Sequence, residues 1–220
     1  MRLFAPVVVA LLSLSACRSV GSGSDAAAKA ESTATVRRKV GTDPGNVGAG
    51  TPLAAKPGHE LAAFAGGCFW GVEDVFRQVP GVTATAVGYT GGHTTNPTYP
   101  EVCTHTTGHA ETVLLEFDPA QIGYEDLLRV FLQNHDPTTV NRQGPDVGDQ
   151  YRSEVFFFSP QQADAAKRAV AKEEARLGKH VVTRITPIGS FWKAEDYHQQ
   201  YDEKTGTHSC PLPKGLPKST

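Results

Sequence analysis

From residue 60 onward the apolar positions switch repeatedly between a period of two and a period near 3.6. That switching predicts the order strand, helix, strand, strand, helix, strand, helix, strand. ELAAFAG reads as a short buried strand, and Gly66-Gly67 as a sharp turn after it. CFWGVEDVFRQV then has helical spacing through Phe69, Val72, Val75, Phe76 and Val79, until Pro80-Gly81 stops it. VTATAVGYTGG has strand character, and residues 91–107 read as a loop of Gly, Thr, Asn, Pro and His. HAETVLLEFD is a strand closed by Pro119. GYEDLLRVFLQNH is an amphipathic helix with Leu127, Leu128, Val130 and Phe131 on its core face. Residues 136–152 form a second irregular segment, followed by the strand EVFFFS. A helix over Pro160–Leu177 opens with Ser159 as N-cap and Pro160 at its first position. HVVTRITPI is the last strand, and from Lys193 the chain is polar and aromatic. No internal repeat is visible. The order predicts an α/β (α+β) fold: a two-layer sandwich with a central mixed β-sheet and a ferredoxin-like core. Irregular loops and a C-terminal tail complete it.

The first 58 residues follow a different pattern. MRLFAPVVVALLSLSAC has one early cation and an apolar run the length of a signal-peptide core. Leu14-Ser15-Ala16-Cys17 resembles the box of bacterial lipoproteins, in which the cysteine is lipidated and becomes the new N-terminus. Lipid on Cys17 would anchor the chain to a membrane without a spanning helix. An ordinary secretory signal is the alternative. Residues 18–58 are rich in Ala, Gly, Ser, Thr and Pro and nearly free of large apolar side chains, which predicts a flexible tether. The expected organisation is therefore a signal peptide (1–17), a tether (18–58), a catalytic domain (59–205) and a mobile tail (206–220). The expected location is extracytoplasmic, on a bacterial membrane.

Charge narrows the partners. Residues 1–58 hold seven Lys or Arg against three Asp or Glu, and the remainder holds fourteen against twenty. The main domain is mildly acidic and has no basic stripe, which speaks against nucleic acid.

Of the four cysteines, Cys17 belongs to the processing signal, leaving Cys68, Cys103 and Cys210. Three thiols do not pair off into a disulfide framework, and the His and Cys spacing fits no zinc site. Cys68 follows a glycine turn and opens a helix, where partial positive charge and open N–H groups favour the thiolate. By itself this leaves two readings open: a nucleophile, or a small buried hydrophobe beside Phe69 and Trp70. Cys103 reads as a packed small side chain. Cys210 lies in the tail TGTHSCPLP.

The motifs GCFWGVE, GYTGGHTTNPTYPEVC, TGHAE, NHDPTTVNRQGPDVGDQYRS and AEDYHQQY occur in that order over residues 60–205. Together they resemble the A-type peptide methionine sulfoxide reductases. The resemblance implies that Cys68 attacks the sulfoxide sulfur. It implies that Glu111, Tyr99 and Tyr151 act on the sulfoxide oxygen, with Asp146 supporting them. Phe69 and Trp70 would hold the substrate methyl group. Cys210 matches the family's resolving cysteine in position, although its tail departs from the usual Asn-Pro-Gly-Tyr-Cys style. The resemblance further implies the S epimer at sulfur, no bound cofactor, a thioredoxin-type reductant as co-substrate, oxidised proteins or peptides as substrates, and a monomer. His105 stands where many relatives have glycine.

The residue chemistry agrees with those roles. A sulfoxide carries a partly negative oxygen on a positively polarised sulfur. Thiolate attack becomes easy when that oxygen is protonated or strongly hydrogen-bonded. A carboxyl in a water-poor pocket has a raised pKa and donates such a proton. Two phenols add neutral donors without burying charge, and aromatic faces bind a methyl group by apolar burial. Two rival readings remain. A cysteine hydrolase would pair Cys68 with His109 or His198. A lipid-anchored binding module would need no turnover at all. Neither accounts for Glu111, Tyr99 and Tyr151 accompanying the thiol.

Overall fold

The computed structural model describes residues 39–48 and 52–207. Its strands are β1 (Glu60–Gly66), β2 (Val82–Thr90), β3 (Ala110–Phe117), β4 (Arg142–Gln143), β5 (Asp146–Val147), β6 (Ser153–Phe157), β7 (Arg184–Pro187) and β8 (Trp192–Lys193). Its helices are α1 (Phe69–Arg77), α2 (Tyr99–Val102), α3 (Tyr124–Gln133), α4 (Pro160–Leu177) and α5 (Tyr201–Thr205). Six strands form one sheet in the order β7-β6-β1-β3-β2-β8. The inner four, β6-β1-β3-β2, are antiparallel neighbours, and their connections through α1 and α3 give the expected ferredoxin-like core. β7 adds in parallel to β6, so the sheet is mixed as expected.

β1 sits at the centre and is buried on both faces, which is why ELAAFAG shows no alternation. Ala62 and Phe64 face the larger core, with Phe76 of α1 and Leu127, Leu128 and Phe131 of α3. Phe64 stacks against both Phe76 and Phe131, at ring separations of 5.3 and 5.0 Å. α4 lies along the same face through Ala165 and Ala166. Ser159 Oγ accepts from Gln162 N, and Gly178 closes α4 at φ 61°, so the predicted bounds and cap agree with the structure.

Ala63 and Ala65 point to the opposite face, into a smaller cluster with Ala86, Leu114 and Phe156. Part of that face is covered by residues expected to be tether. Val47 is buried there and Leu53 packs beside it. Gly41 bridges to β2, donating to Thr83 O and accepting from Thr85 N. The tether expectation is therefore corrected for residues 39–48 and 52–58. Composition misses them because few apolar side chains suffice when the partner surface already exists. A buried carboxylate supplies the rest: Glu116 is 1% exposed and accepts from Gly45 N and Lys56 N, each at 3.2 Å. The Lys56 ammonium lies 3.0 Å from its other oxygen. A buried carboxylate without such partners would cost several kcal/mol on the order expected for an unpaired ion. Residues 18–38 of the expected tether, and 49–51, lie outside the described residues, as do the signal segment with Cys17 and the tail from 208 with Cys210.

The segment 91–107, expected to be wholly irregular, contains the one-turn helix α2. Thr98-Tyr99-Pro100-Glu101 is a capping-box sequence with Pro at the second helical position. Glu101 Oε2 accepts from Thr98 N at 2.8 Å. Within 136–152, β4 and β5 form a two-residue hairpin, and a 3-10 turn spans Asp149–Tyr151.

Candidate active site

The site begins at the turn between β1 and α1. Gly67 has φ 103°, a conformation that disfavours any side chain. A Cβ there would also lie 2.6 Å from Gln143 Cγ. Glycine thus lets the 136–148 loop close over the turn, and Gln143 ties that loop by bonding Asp136 through its N–H and carbonyl. Cys68 follows as the N-cap of α1 and is half-buried. The helix N-terminus favours negative charge on its sulfur.

Glu111 reaches the same helix end from β3, where it is 2% exposed. Its Oε2 accepts the N–H of Phe69, the residue after Cys68, at 3.1 Å. Burial pushes the Glu111 carboxyl up to about 8. The Phe69 N–H works against that rise and the charge of Asp146 adds to it. At neutral pH the site therefore holds a protonated carboxylic acid beside the thiol's helix terminus.

Two phenols lie within electrostatic reach of the same carboxyl. Tyr99 opens α2, and its backbone N–H donates to Glu195 Oε1 at 2.9 Å. Burial raises its phenol, as do the Glu111 charge and a hydrogen bond with the Cys103 thiol. Tyr151 ends the 3-10 turn, and burial pushes it up to about 12, with Glu111 and Asp146 adding to the effect. Both phenols are thus neutral donors across the working pH range. The charge of Asp146, on β5, raises both Glu111 and Tyr151.

Phe69 is 1% exposed and packs at ring separations of 5.9 Å from Tyr89 and 5.1 Å from His198. Trp70 is half-buried, stacks on Tyr201 at 3.9 Å, and donates its indole N–H to His198 Nδ1 at 3.0 Å. Phe69 and Trp70 follow Cys68 directly in the chain and open α1.

The structure thus gathers Cys68, Phe69, Trp70, Tyr99, Glu111, Asp146 and Tyr151 around one helix terminus, although they span most of the domain's sequence. Several neighbours carried no assigned role in the sequence reading. Glu195 accepts from the Tyr89 phenol at 3.0 Å as well as from Tyr99 N. Cys103 is half-buried and raises the Tyr99 phenol. His105, at φ 61°, places Nδ1 2.7 Å from Gln150 Oε1 and so links the loop bearing Tyr99 to the turn bearing Tyr151. The motif AEDYHQQY signals Glu195 and His198, and the capping box at Thr98 signals the ordered seat of Tyr99.

Of the histidines a hydrolase would need, His109 is engaged at both ring nitrogens and His198 at one. His109 Nδ1 accepts from Gly92 N at 3.1 Å, and its Nε2 lies 2.9 Å from Thr94 O. His198 Nδ1 is taken by Trp70. Among the described residues no group of three or more His, Cys, Asp and Glu is arranged to hold a metal ion. A separate groove lined by Ala55, Leu61, Tyr124, Phe158 and Ala165 opens at the other end of β1 and contains none of the site residues.

Residues 60–218 match the family described as peptide methionine sulfoxide reductase. The chain is 56% identical over 156 residues to peptide methionine sulfoxide reductase MsrA of Methanothermobacter thermautotrophicus, covering 70% of this chain and 92% of that one. It is 56% identical over 154 residues to the MsrA of Geobacter sulfurreducens, covering 69% and 94%. Among solved structures, methionine sulfoxide reductase A of Corynebacterium diphtheriae superposes with a TM-score of 0.67 at 37% identity, over 80% of this chain and 91% of that one. Reduced Mxr1 from Saccharomyces cerevisiae gives 0.68 at 33% identity, over 72% and 92%. On these matches the chain belongs to the peptide methionine sulfoxide reductase family and is an enzyme that reduces methionine sulfoxide.

Proposed function

We propose that Cys68 is the nucleophile and Glu111 the proton donor in reduction of the S epimer of methionine sulfoxide, with Tyr99 and Tyr151 as further donors to the oxygen. The observation that carries this reading is the neutral Glu111 carboxyl bonded to the Phe69 N–H, one residue from the thiol. The thiolate attacks the sulfoxide sulfur while Glu111 and the phenols neutralise the oxygen. The oxygen passes to Cys68, leaving a thioether and a sulfenic acid. Methionine sulfur gains two electrons, and Cys68 sulfur loses two. Phe69 and Trp70 hold the methyl group, and Asp146 supports the acid by keeping its proton in place.

Cys210 then attacks the sulfenic sulfur, a Cys68–Cys210 disulfide forms, and water leaves. A dithiol reductant of thioredoxin type restores both thiols. The solved complex of Mxr1 with Trx2, whose likeness to this chain is one of fold, is consistent with such a partner. Cys210→Ser should still release one equivalent of methionine rapidly but should lose nearly all thioredoxin-driven turnover. Normal steady-state turnover in that variant removes Cys210 from the cycle.

The N-terminal pattern supports export and attachment to a membrane through lipid on Cys17, with residues 18–38 as a tether to the domain. Natural substrates on that reading are oxidised proteins outside the cytoplasm, reduced by a monomer that carries no bound cofactor. Expressed in a bacterial host, the full chain should partition into the membrane fraction, and Cys17→Ser should move it to the soluble fraction with a change of mass. A variant that stays membrane-bound at the same mass excludes lipidation at Cys17.

A further inference from the structure

His198 takes no part in the chemistry above, yet it bonds Trp70 and packs on four aromatic rings beside it. It is 1% exposed. Its ring touches Phe69 at 5.1 Å, Tyr99 at 4.5 Å, Trp70 at 5.6 Å and Tyr197 at 4.0 Å between centroids. The Trp70 indole can only donate, so His198 Nδ1 must present a lone pair to it. In the neutral ring the hydrogen then sits on Nε2. Nε2 has no hydrogen-bond partner and lies 3.8 Å from the Glu195 carboxylate. Burial drives the imidazole below its ordinary value, against the pull of Glu195, which keeps this tautomer neutral at pH 7.

Glu195 holds the other side of the pocket. Its Oε1 accepts the N–H of Tyr99, and its Oε2 accepts the Tyr89 phenol. Residues 195–198 therefore touch both halves of the site: the aromatic lining through Trp70 and the phenol donor through Tyr99. Trp70 is fixed at its edge by the hydrogen bond and on its face by the Tyr201 stack. Without the bond, the stack alone would leave the indole free to tilt in its plane.

We propose that His198 is a positioning residue that locks the Trp70 indole, so that substrate affinity rather than the chemical step depends on it. This rests on Trp70 being part of the methyl-binding lining. The step it controls is substrate binding, because a preformed lining need not be ordered when the sulfoxide arrives. The acid at Glu111 is held by the Phe69 N–H rather than by the ring, so the rate from the bound state should change little.

The test uses the full chain with ¹⁵N-indole labelling, in a Trp192→Phe background that leaves Trp70 as the only indole. The wild-type indole proton should resonate downfield and exchange slowly. In His198→Leu it should shift upfield and exchange fast, and the half-saturation concentration for a methionine sulfoxide peptide in single-turnover reduction should rise about 10-fold. The rate at saturation should fall less than about 3-fold on the same reasoning. His198→Gln, whose amide oxygen can accept from the indole, should recover most of both signals, and it also serves if the leucine variant fails to fold. An unchanged indole resonance in His198→Leu overturns the proposal. So does a fall in the saturated rate with half-saturation unchanged. If the wild-type protein reduces no sulfoxide, the functional reading falls and the proposal with it; the indole resonance still reports whether the hydrogen bond exists, which tells the two failures apart.

Discussion

Cys68→Ser should abolish methionine sulfoxide reduction, by roughly 10⁴-fold or more, as loss of a covalent nucleophile does in other enzymes. A serine hydroxyl keeps the size and the N-cap place. It lacks a thiolate's low pKa and soft sulfur, and it cannot hold the oxygen as a sulfenic acid. The helix N-terminus and Glu111 would remain, so any residual activity would measure what binding and protonation do alone. The variant should stay folded, because Cys68 caps α1 without a side-chain capping bond. Single-turnover assays with a dabsyl-methionine sulfoxide probe check it. Turnover within a factor of ten of wild type would refute the nucleophile.

Glu111→Gln should slow the chemical step by about 10²-fold or more, the usual loss for a general acid. The amide keeps the acceptor for Phe69 N–H, so the helix terminus loses no partner. What it loses is the proton. The pH profile separates these contributions. Because burial raises the Glu111 carboxyl to about 8, the acid is fully protonated well below that pH. It loses its proton as pH rises through about 8. The wild-type single-turnover rate should therefore fall on the alkaline side. In Glu111→Gln that alkaline limb should be missing and the whole profile low. An unchanged rate in the variant, or a surviving limb at the same pH, removes Glu111 as the donor.

Most of the fold was legible because its elements bury long apolar stretches. ELAAFAG, VTATAVGYT and AETVLLEF are buried through nearly every position, and the α4 bounds follow from Ser159, Pro160 and Gly178. Shorter elements were not legible. β4, β5 and β8 are two residues each, and two residues carry no period. α2 could have been read from its capping box. The packing of residues 39–48 could not, because it depends on a buried Glu116 whose partners come from seventy residues away. The site divides in the same way. Cys68 at a glycine turn carries a local signal of reactivity. Glu111 looks locally like any strand carboxylate, and only the sheet register that sets it opposite Tyr89 brings it to the end of α1. Its role was readable through the resemblance of the linked motifs, and its raised pKa is a property of the folded chain. His198 and Glu195 sit in a matched motif, and their contacts with Trp70, Tyr89 and Tyr99 form only in the folded chain.

The central claim is that Cys68 takes the oxygen from the sulfoxide while Cys210 completes the exchange. It is tested most directly by mixing the reduced full-length protein with one equivalent of methionine sulfoxide peptide, without reductant, and mapping the cysteines by mass spectrometry. The expected result is one equivalent of methionine and a peptide pair joining Cys68 to Cys210. In Cys210→Ser the expected result is a sulfenic acid trapped on Cys68 instead. Release of methionine with Cys68 still a free thiol would contradict it.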